Sequence, residues 1–325
     1  MSYLIPKPSM WLVAALSICF ITTNSVLASD DDDGQRTKTV NCHQGNASVQ
    51  VEIDDADVGR DTTIFIVGFC DERVSIVKDG ITLSGNKDGN DLIGGGLTEV
   101  TITGAPRVRI EYLNITGAGY GVLAQEGASV TISNNNIHDN EASGVAVFNQ
   151  AFARVEFNTI TGNGDYGGIF GFSGATIAST GNVITNNSYA AIEMGNMSLF
   201  QSGRIAGISD PAYGDVIVQN GCTEGDTADE CAAKTDPNAE IYAIDCFRNC
   251  LIDMRNAKIT GYSYISGMSN FDTRTTTING NIDGSGGSRL ALRNSVTGSG
   301  YLNCYYPAFA GSSVQCGDPI PSPGP

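Results

Sequence analysis

The side chains best placed for chemistry are five charged residues on a short, regular beat. Ile252-Asp-Met-Arg255, Phe271-Asp-Thr-Arg274 and Leu290-Ala-Leu-Arg293 recur at intervals of 19 residues. Alternation with period two turns Ile252, Met254, Phe271, Leu290 and Leu292 inward and Asp253, Arg255, Asp272, Arg274 and Arg293 outward. If the segments stack, three guanidinium groups share one column beside a column of two carboxylates. Two readings follow from that chemistry. One is a ladder of surface ion pairs, each worth little. The other is a basic stripe for an anionic glycan, in which arginine neutralises a carboxylate or sulfate and aspartate holds calcium.

A second set is aromatic. Phe148, Phe170 and Phe172 alternate out of their strands on adjacent repeats, with Phe152 nearby. Aromatic faces suit stacking on sugars; the same rings could equally be covered by the segment 195–245, since exposed apolar patches are usually avoided. The two histidines, His43 and His138, fall beside Cys42 and in an Asn-rich corner, positions that suit a turn better than a general base. Gly89-Asn-Asp-Leu-Ile-Gly-Gly-Gly96 is one residue short of a calcium-binding glycine repeat and occurs once, so it reads as a glycine-rich corner. The acidic stretch 219–240 offers carboxylates to calcium but lacks the fixed ligand spacing of a dedicated loop. No cofactor motif is present in the sequence.

The elements that must position these groups announce themselves by repetition. Tyr112-Leu-Asn-Ile115, Asn135-Asn-Ile137, Asn158-Thr-Ile160 and Asn182-Val-Ile184 place their isoleucines 22, 23 and 24 residues apart. A second phrase keeps step: Gly121-Val-Leu-Ala, Gly144-Val-Ala-Val, Gly168-Ile-Phe-Gly and Ala191-Ile-Glu-Met. Two phrases in one period mean stacked units, and their three- to five-residue apolar alternations mean strands rather than helices. Inward columns follow: Val122, Val145, Ile169 and Ile192, then Ala124, Val147, Gly171 and Met194. Asn135, Asn158 and Asn182 form a further column, as do Asn140, Asn163 and Asn187. These are expected at left-handed corners and in stacked amide ladders. At the N-terminal end Val49, Ile53 and Ala56 share one face of a short helix able to cover the open coil.

The spacing, the Asn-x-Ile corners and the Gly-Val-x-Val strands resemble the repeats of the right-handed parallel β-helix, or pectin-lyase-like, superfamily, from about Val40 to Cys316. The helix near Ser48–Ala56 followed by Thr63-Ile-Phe-Ile-Val67 is similar to that superfamily's capping helix and first strand. The resemblance implies an all-β, single-domain solenoid over residues 40–316. It also brings to mind lyases, polygalacturonases, methylesterases and epimerases acting on uronate polymers. Their signature Asp, His and Arg motifs are absent from this sequence. If an enzyme of lyase or epimerase type is present, Asp253, Asp272, Arg255 and Arg274 are its candidate catalytic residues; the leading expectation is a protein that presents a sheet face to a glycan without catalysis, and a purely structural or adhesive role is the third. The glycan-binding candidates are Arg255, Arg274, Arg293, Phe148, Phe170 and Phe172.

Composition bounds the setting. Residues 1–28 carry Lys7, an apolar run from Trp11 to Ile21 and the ending Val26-Leu-Ala28, the pattern of a secretory signal cleaved after Ala28. The run is too short to span a bilayer. Residues 29–39 are expected to be an acidic, flexible N-terminus with Asp30–Asp33 solvated, and the Pro-rich tail 317–325 cannot extend a sheet. Beyond Cys19, eight cysteines remain, an even count that suits an oxidising compartment. Pairing between neighbours in sequence gives Cys42 with Cys70, Cys222 with Cys231, Cys246 with Cys250 and Cys304 with Cys316, although spacing does not fix the connectivity. A formal charge of −17 is a poor match for nucleic acid and, without calcium or a local basic patch, for acidic polysaccharides.

Overall fold

The computed structural model describes residues 36–43, 47–85, 95–203, 214–219, 242–293, 296–297, 302–304 and 309–310. Short strands come in threes. Val108–Glu111, Leu113–Thr116 and Tyr120–Gln125 make one coil, and Ser129–Ser133, Asn136–His138 and Ser143–Phe148 make the next. Each strand pairs in parallel with its counterpart one coil away, as in Arg109↔Thr131, Ile115↔Ile137 and Val122↔Val145. The chain is thus an all-β parallel solenoid of about 9 turns, where the period suggested about ten. Its three strand positions define a first, second and third face in that order.

The core is a set of vertical files. Val122, Val145, Ile169 and Ile192 are in register, as are Ala124, Val147, Gly171 and Met194, and all of the aliphatic members are fully buried. The isoleucine file continues from Ile115 through Ile137, Ile160 and Ile184 to Ile217, Ile259 and Ile278. Each such side chain contributes about 1.5–3 kcal/mol by leaving water, so a coil is stable only between neighbours. Gly171 has a specific cause. A Cβ there would stand 2.5 Å from Met194 Cε, so the missing side chain makes room for the long one in the next coil.

The asparagine files form amide ladders, but the corner works differently from the expectation. Asn135 Nδ2 donates to Asn158 Oδ1 and Asn158 Nδ2 to Asn182 Oδ1, each at 3.0 Å. The same oxygens accept the backbone N–H of the preceding coil's asparagine at 2.9 Å, and the amide nitrogens also reach the carbonyls of Ile110 and Ile132. The left-handed backbone falls on the residue before each ladder position, at Tyr112, Asn134, Phe157, Gly181, Asn256 and Thr275, with φ between 54° and 64°. One reversed residue makes the bend. The next, in ordinary backbone, then points its amide inside the corner, where it satisfies N–H and C=O groups that neither face can pair. The second ladder, Asn140 to Asn163 to Asn187, runs at 2.8 and 2.9 Å. It explains Gly144, because a Cβ there would meet Asn163 Nδ2 at 2.8 Å and Ile160 Cγ2 at 2.7 Å.

The helix Val49–Asp54 closes the N-terminal end with Val49 and Ile53 buried and Ser48 Oγ accepting from the Val51 N–H. Glu72 accepts from the Val49 N–H and from Ser48 Oγ, tying the helix start to a strand. Lys38, 6% exposed, reaches Glu52 Oε2 at 2.7 Å and Asp55 Oδ2 at 2.8 Å. Burial opposes its charge, but the two carboxylates together outweigh that and raise its pKa. Cys42 and Cys70 are at disulfide distance with Cα atoms 5.2 Å apart, and so are Cys246 and Cys250 at 5.9 Å. The expected partners Cys222, Cys231 and Cys316 lie outside the described residues, as do residues 1–35, the stretch 220–240, positions 86–94 with most of the glycine-rich corner, and the tail 317–325; of Cys304 only the backbone is described. Among the described residues no helix is long and apolar enough to cross a membrane.

Candidate functional site

The five charged residues of the short beat lie on the first face. Asp253 pairs in register with Asp272, and Arg255 with Arg274 and Arg274 with Arg293, so the columns stack from coil to coil. The contacts are ionic and mostly long: Arg255 to Asp253 at 3.7 Å, Arg274 to Asp272 at 3.9 Å and Arg293 to Asp272 at 3.2 Å. Asp253, expected to stand outward in solvent, is only 7% exposed. The same face carries an earlier stretch of this ladder that the sequence reading passed over. Arg109 reaches Glu111 at 3.1 Å and Arg154 reaches Glu156 at 3.3 Å, with the cation now on the earlier strand position. These pairs form within single strands; along the file neutral Thr131, Ala178 and Gln201 stand beside or between them, and in the later coils like charges stack, with the carboxylate beside each arginine offsetting the repulsion. Near the cap this face also holds an open cleft of about 690 Å³ bordered by Arg60, Asp61, Arg107 and Arg109. There Arg107 is clamped by Asp61 at 2.9 Å and Asp79 at 2.6 Å.

The phenylalanines stand on the third face. Phe148 is in register with Phe172, while Phe170 lies opposite Ala146. Their rings touch in sequence, Phe148 to Phe170 at 5.2 Å and Phe170 to Phe172 at 5.9 Å between centroids. Tyr120 extends the run at one end at 5.7 Å and Phe247 at the other at 6.3 Å, and Tyr166 stacks on Phe170 at 4.8 Å. Phe170 is 8% exposed, whereas Phe148 and Phe172 are half-buried. Phe152 does not join them, because it begins the strand Phe152–Glu156 on the first face. Of the segment expected to cover these rings, 204–213 and 220–241 lie outside the described residues.

Beside the rings runs an acidic file that sequence reasoning missed. The outward positions of the third face read Leu123, Ala146, Phe170, Glu193, Asp245, Tyr264 and Asp283 from coil to coil. Glu193 and Asp245 are 7% and 5% exposed. Tyr189 Oη donates to Asp245 Oδ2 at 3.0 Å, and Tyr262 Oη donates to Asp283 Oδ2 at 2.7 Å. Tyr242 packs between the two tyrosines, 5.5 and 5.4 Å from their rings. Burial, reinforced by the Asp245 charge, pushes the Glu193 carboxyl up to about 8. Burial likewise raises Tyr189 and Tyr262, each beside its carboxylate, so both phenols stay protonated and donate. A signal for Glu193 existed in the repeated phrase, where Ala191-Ile-Glu-Met puts it at the position of Phe170. Asp245 was hidden because the beat lapses between Met194 and Tyr242.

His138 occupies the second face, with Nδ1 2.6 Å from Asp139 Oδ2 and Nε2 2.8 Å from Asn114 Oδ1. Both ring nitrogens are engaged in a corner, and it joins neither candidate site. Among the described residues no group of three or more His, Cys, Asp or Glu is arranged to hold a metal ion.

Fold and faces together define a class, the right-handed parallel β-helix. Residues 74–205 match the family model described as the right handed beta helix region. Two solved structures are weakly similar to this chain. ORF18 of Geobacillus virus E2 is 13% identical with a TM-score of 0.41, and the alignment covers 83% of this chain and 62% of that one. The surface protein and adhesin PfbA of Streptococcus pneumoniae is 10% identical with a TM-score of 0.28, covering 77% of this chain and 91% of that one. The chain thus spans less than two thirds of the phage protein's length. No curated protein sequence is significantly similar to it.

Proposed function

We propose that this is a secreted, disulfide-stapled β-helix whose third face binds a glycan. The observation that carries the reading is the unbroken run of rings from Tyr120 through Phe148, Phe170 and Phe172 to Phe247, lying directly beside a file of carboxylates and tyrosines. Rings offer apolar faces to sugar C–H surfaces, and convergent carboxylates and phenols accept and donate to hydroxyls. The secretory pattern of residues 1–28 and the paired cysteines support an extracellular setting.

The file from Leu123 to Asp283 carries no Lys or Arg, so it favours a neutral or amino-sugar glycan over a uronate. The Asp/Arg ladder of the first face supports binding of an acidic glycan less well, because carboxylates already stand against its arginines. The test is retention in affinity electrophoresis through β-1,3-glucan, mannan, partly acetylated chitosan and polygalacturonate. Retention by a neutral or amino-sugar polymer that falls at least tenfold in Phe172→Ala is the expected result. Retention by polygalacturonate alone, lost on replacing Arg255, Arg274 and Arg293, would overturn the assignment of the face.

A further inference from the structure

Glu193 and Asp245 are register partners on adjacent strands, so their backbones are about 4.8 Å apart and their side chains leave the sheet on the same side. Their surroundings differ. Asp245 receives the Tyr189 hydroxyl. Glu193 Oε2 is buried and meets no hydrogen-bond partner among the described residues, in a side chain that is itself more than nine-tenths buried. A buried carboxyl oxygen without a partner is costly unless a ligand group completes it. Phe170 precedes this pair in the file and Tyr264 follows it, placing a ring on each side along the coil axis.

We propose that Glu193 and Asp245 together hydrolyse a glycosidic bond of the glycan bound on this face, with Glu193 as acid and Asp245 as nucleophile. This rests on the carbohydrate reading of the third face. In the first step the bond from the anomeric carbon to the leaving oxygen breaks, that oxygen takes the Glu193 proton, and an Asp245 carboxylate oxygen bonds to the anomeric carbon. In the second step water attacks the same carbon, gives its proton to the Glu193 carboxylate and releases Asp245. The sum is one glycosidic bond and one water converted to two hydroxyl ends. The two side chains start from register-paired backbone positions on adjacent strands, a short spacing that favours the close carboxyl pair of a double displacement over the wider gap that admits a water between them. The two environments also divide the roles. With its carboxyl pushed up to about 8 by burial and by Asp245, Glu193 holds a proton at neutral pH. Among the described residues the titratable groups that act on it are Asp245, its register partner, and Tyr189, which donates to Asp245.

The experiment incubates the full chain with reduced β-1,3-glucan, mannan and partly acetylated chitosan, with and without a chelator, measuring new reducing ends and, in parallel, electrophoretic retention. Wild type is expected to release reducing ends. Glu193→Gln and Asp245→Asn are each expected to lose at least 100-fold in rate while keeping the β circular dichroism and the retention. Retention without release by wild type overturns hydrolysis and leaves the glycan reading standing. Absence of retention by all three polymers overturns both. Release that survives Glu193→Gln at the wild-type rate, or that vanishes with the chelator, overturns the assignment to this pair.

Discussion

Glu193 sits where its ionised form is disfavoured, and stability should show it. Its carboxyl, pushed up to about 8 by burial and by the Asp245 charge, lies well above the ordinary glutamate value of 4.5. A raised acid contributes stability that is fully present below about pH 4.5 and is lost as pH rises through 8. Wild type should therefore lose a few kcal/mol between pH 5 and 8.5, and Glu193→Gln should flatten that part of the profile in urea titrations at several pH values. Equal slopes in both proteins would show that the carboxyl is solvated. Asp215 poses a related question at the end of the first amide ladder. It is fully buried, accepts from the Asn182 N–H at 2.8 Å and from Asn182 Nδ2 at 3.0 Å, and receives the Ser202 hydroxyl. Burial raises its pKa against those hydrogen bonds. Asp215→Asn keeps the accepting oxygen and removes the charge, so stability at pH 7 should hold or rise. Asp215→Ala should cost about 1–3 kcal/mol by orphaning the amide. Equal losses in the two variants would mean that the carboxylate itself is required.

At the scale of elements, ladders inside the corners and ladders on the faces differ in what they contribute. Asn158 accepts from the Asn135 N–H and side-chain amide and donates to Ile132 O and Asn182 Oδ1, all of them buried. Asn158→Ala strands several of these groups and should cost at least about 2 kcal/mol. Arg274, 41% exposed and 3.9 Å from Asp272, should cost under about 1 kcal/mol when replaced by Ala. Denaturant midpoints with an unchanged m-value would check both, and a larger loss at Arg274 would mean that the first face is more than a ladder. The contrast also shows what was legible in the chain. Asn135, Asn158 and Asn182 betrayed the corners because turn chemistry repeats in register, and the inward files followed from strict alternation. Which residue takes the left-handed bend was not legible, since Tyr112, Phe157 and Thr275 are unlike one another and are held there by the stack. The Asp/Arg beat was visible because it is periodic. The Glu193–Asp245 pair was not, because the segment after Met194 separates in sequence two positions that the ladder makes adjacent.

For the whole molecule, the solenoid is closed at its start by a helix, the buried Lys38 cluster and the Cys42–Cys70 link. Closing a separation of 28 residues should stabilise the chain by about 3–4 kcal/mol in the loop-entropy model. Replacing both cysteines by serine should lower the unfolding midpoint accordingly, and an unchanged midpoint would show that the helix and Lys38 suffice. Above the cap the three faces divide the labour. The first is laced with ion pairs, the second is built of strands of three or four residues, and the third concentrates rings and carboxylates. The most direct test of that division is hydrogen exchange of the full chain with and without the retained glycan. Protection is expected in Gly167–Phe172, Ala190–Gly195 and Tyr242–Phe247 and not in Leu251–Arg255 or Asn270–Arg274. Protection confined to the two first-face strands, with none in the three third-face strands, would contradict the assignment of the third face as the working surface.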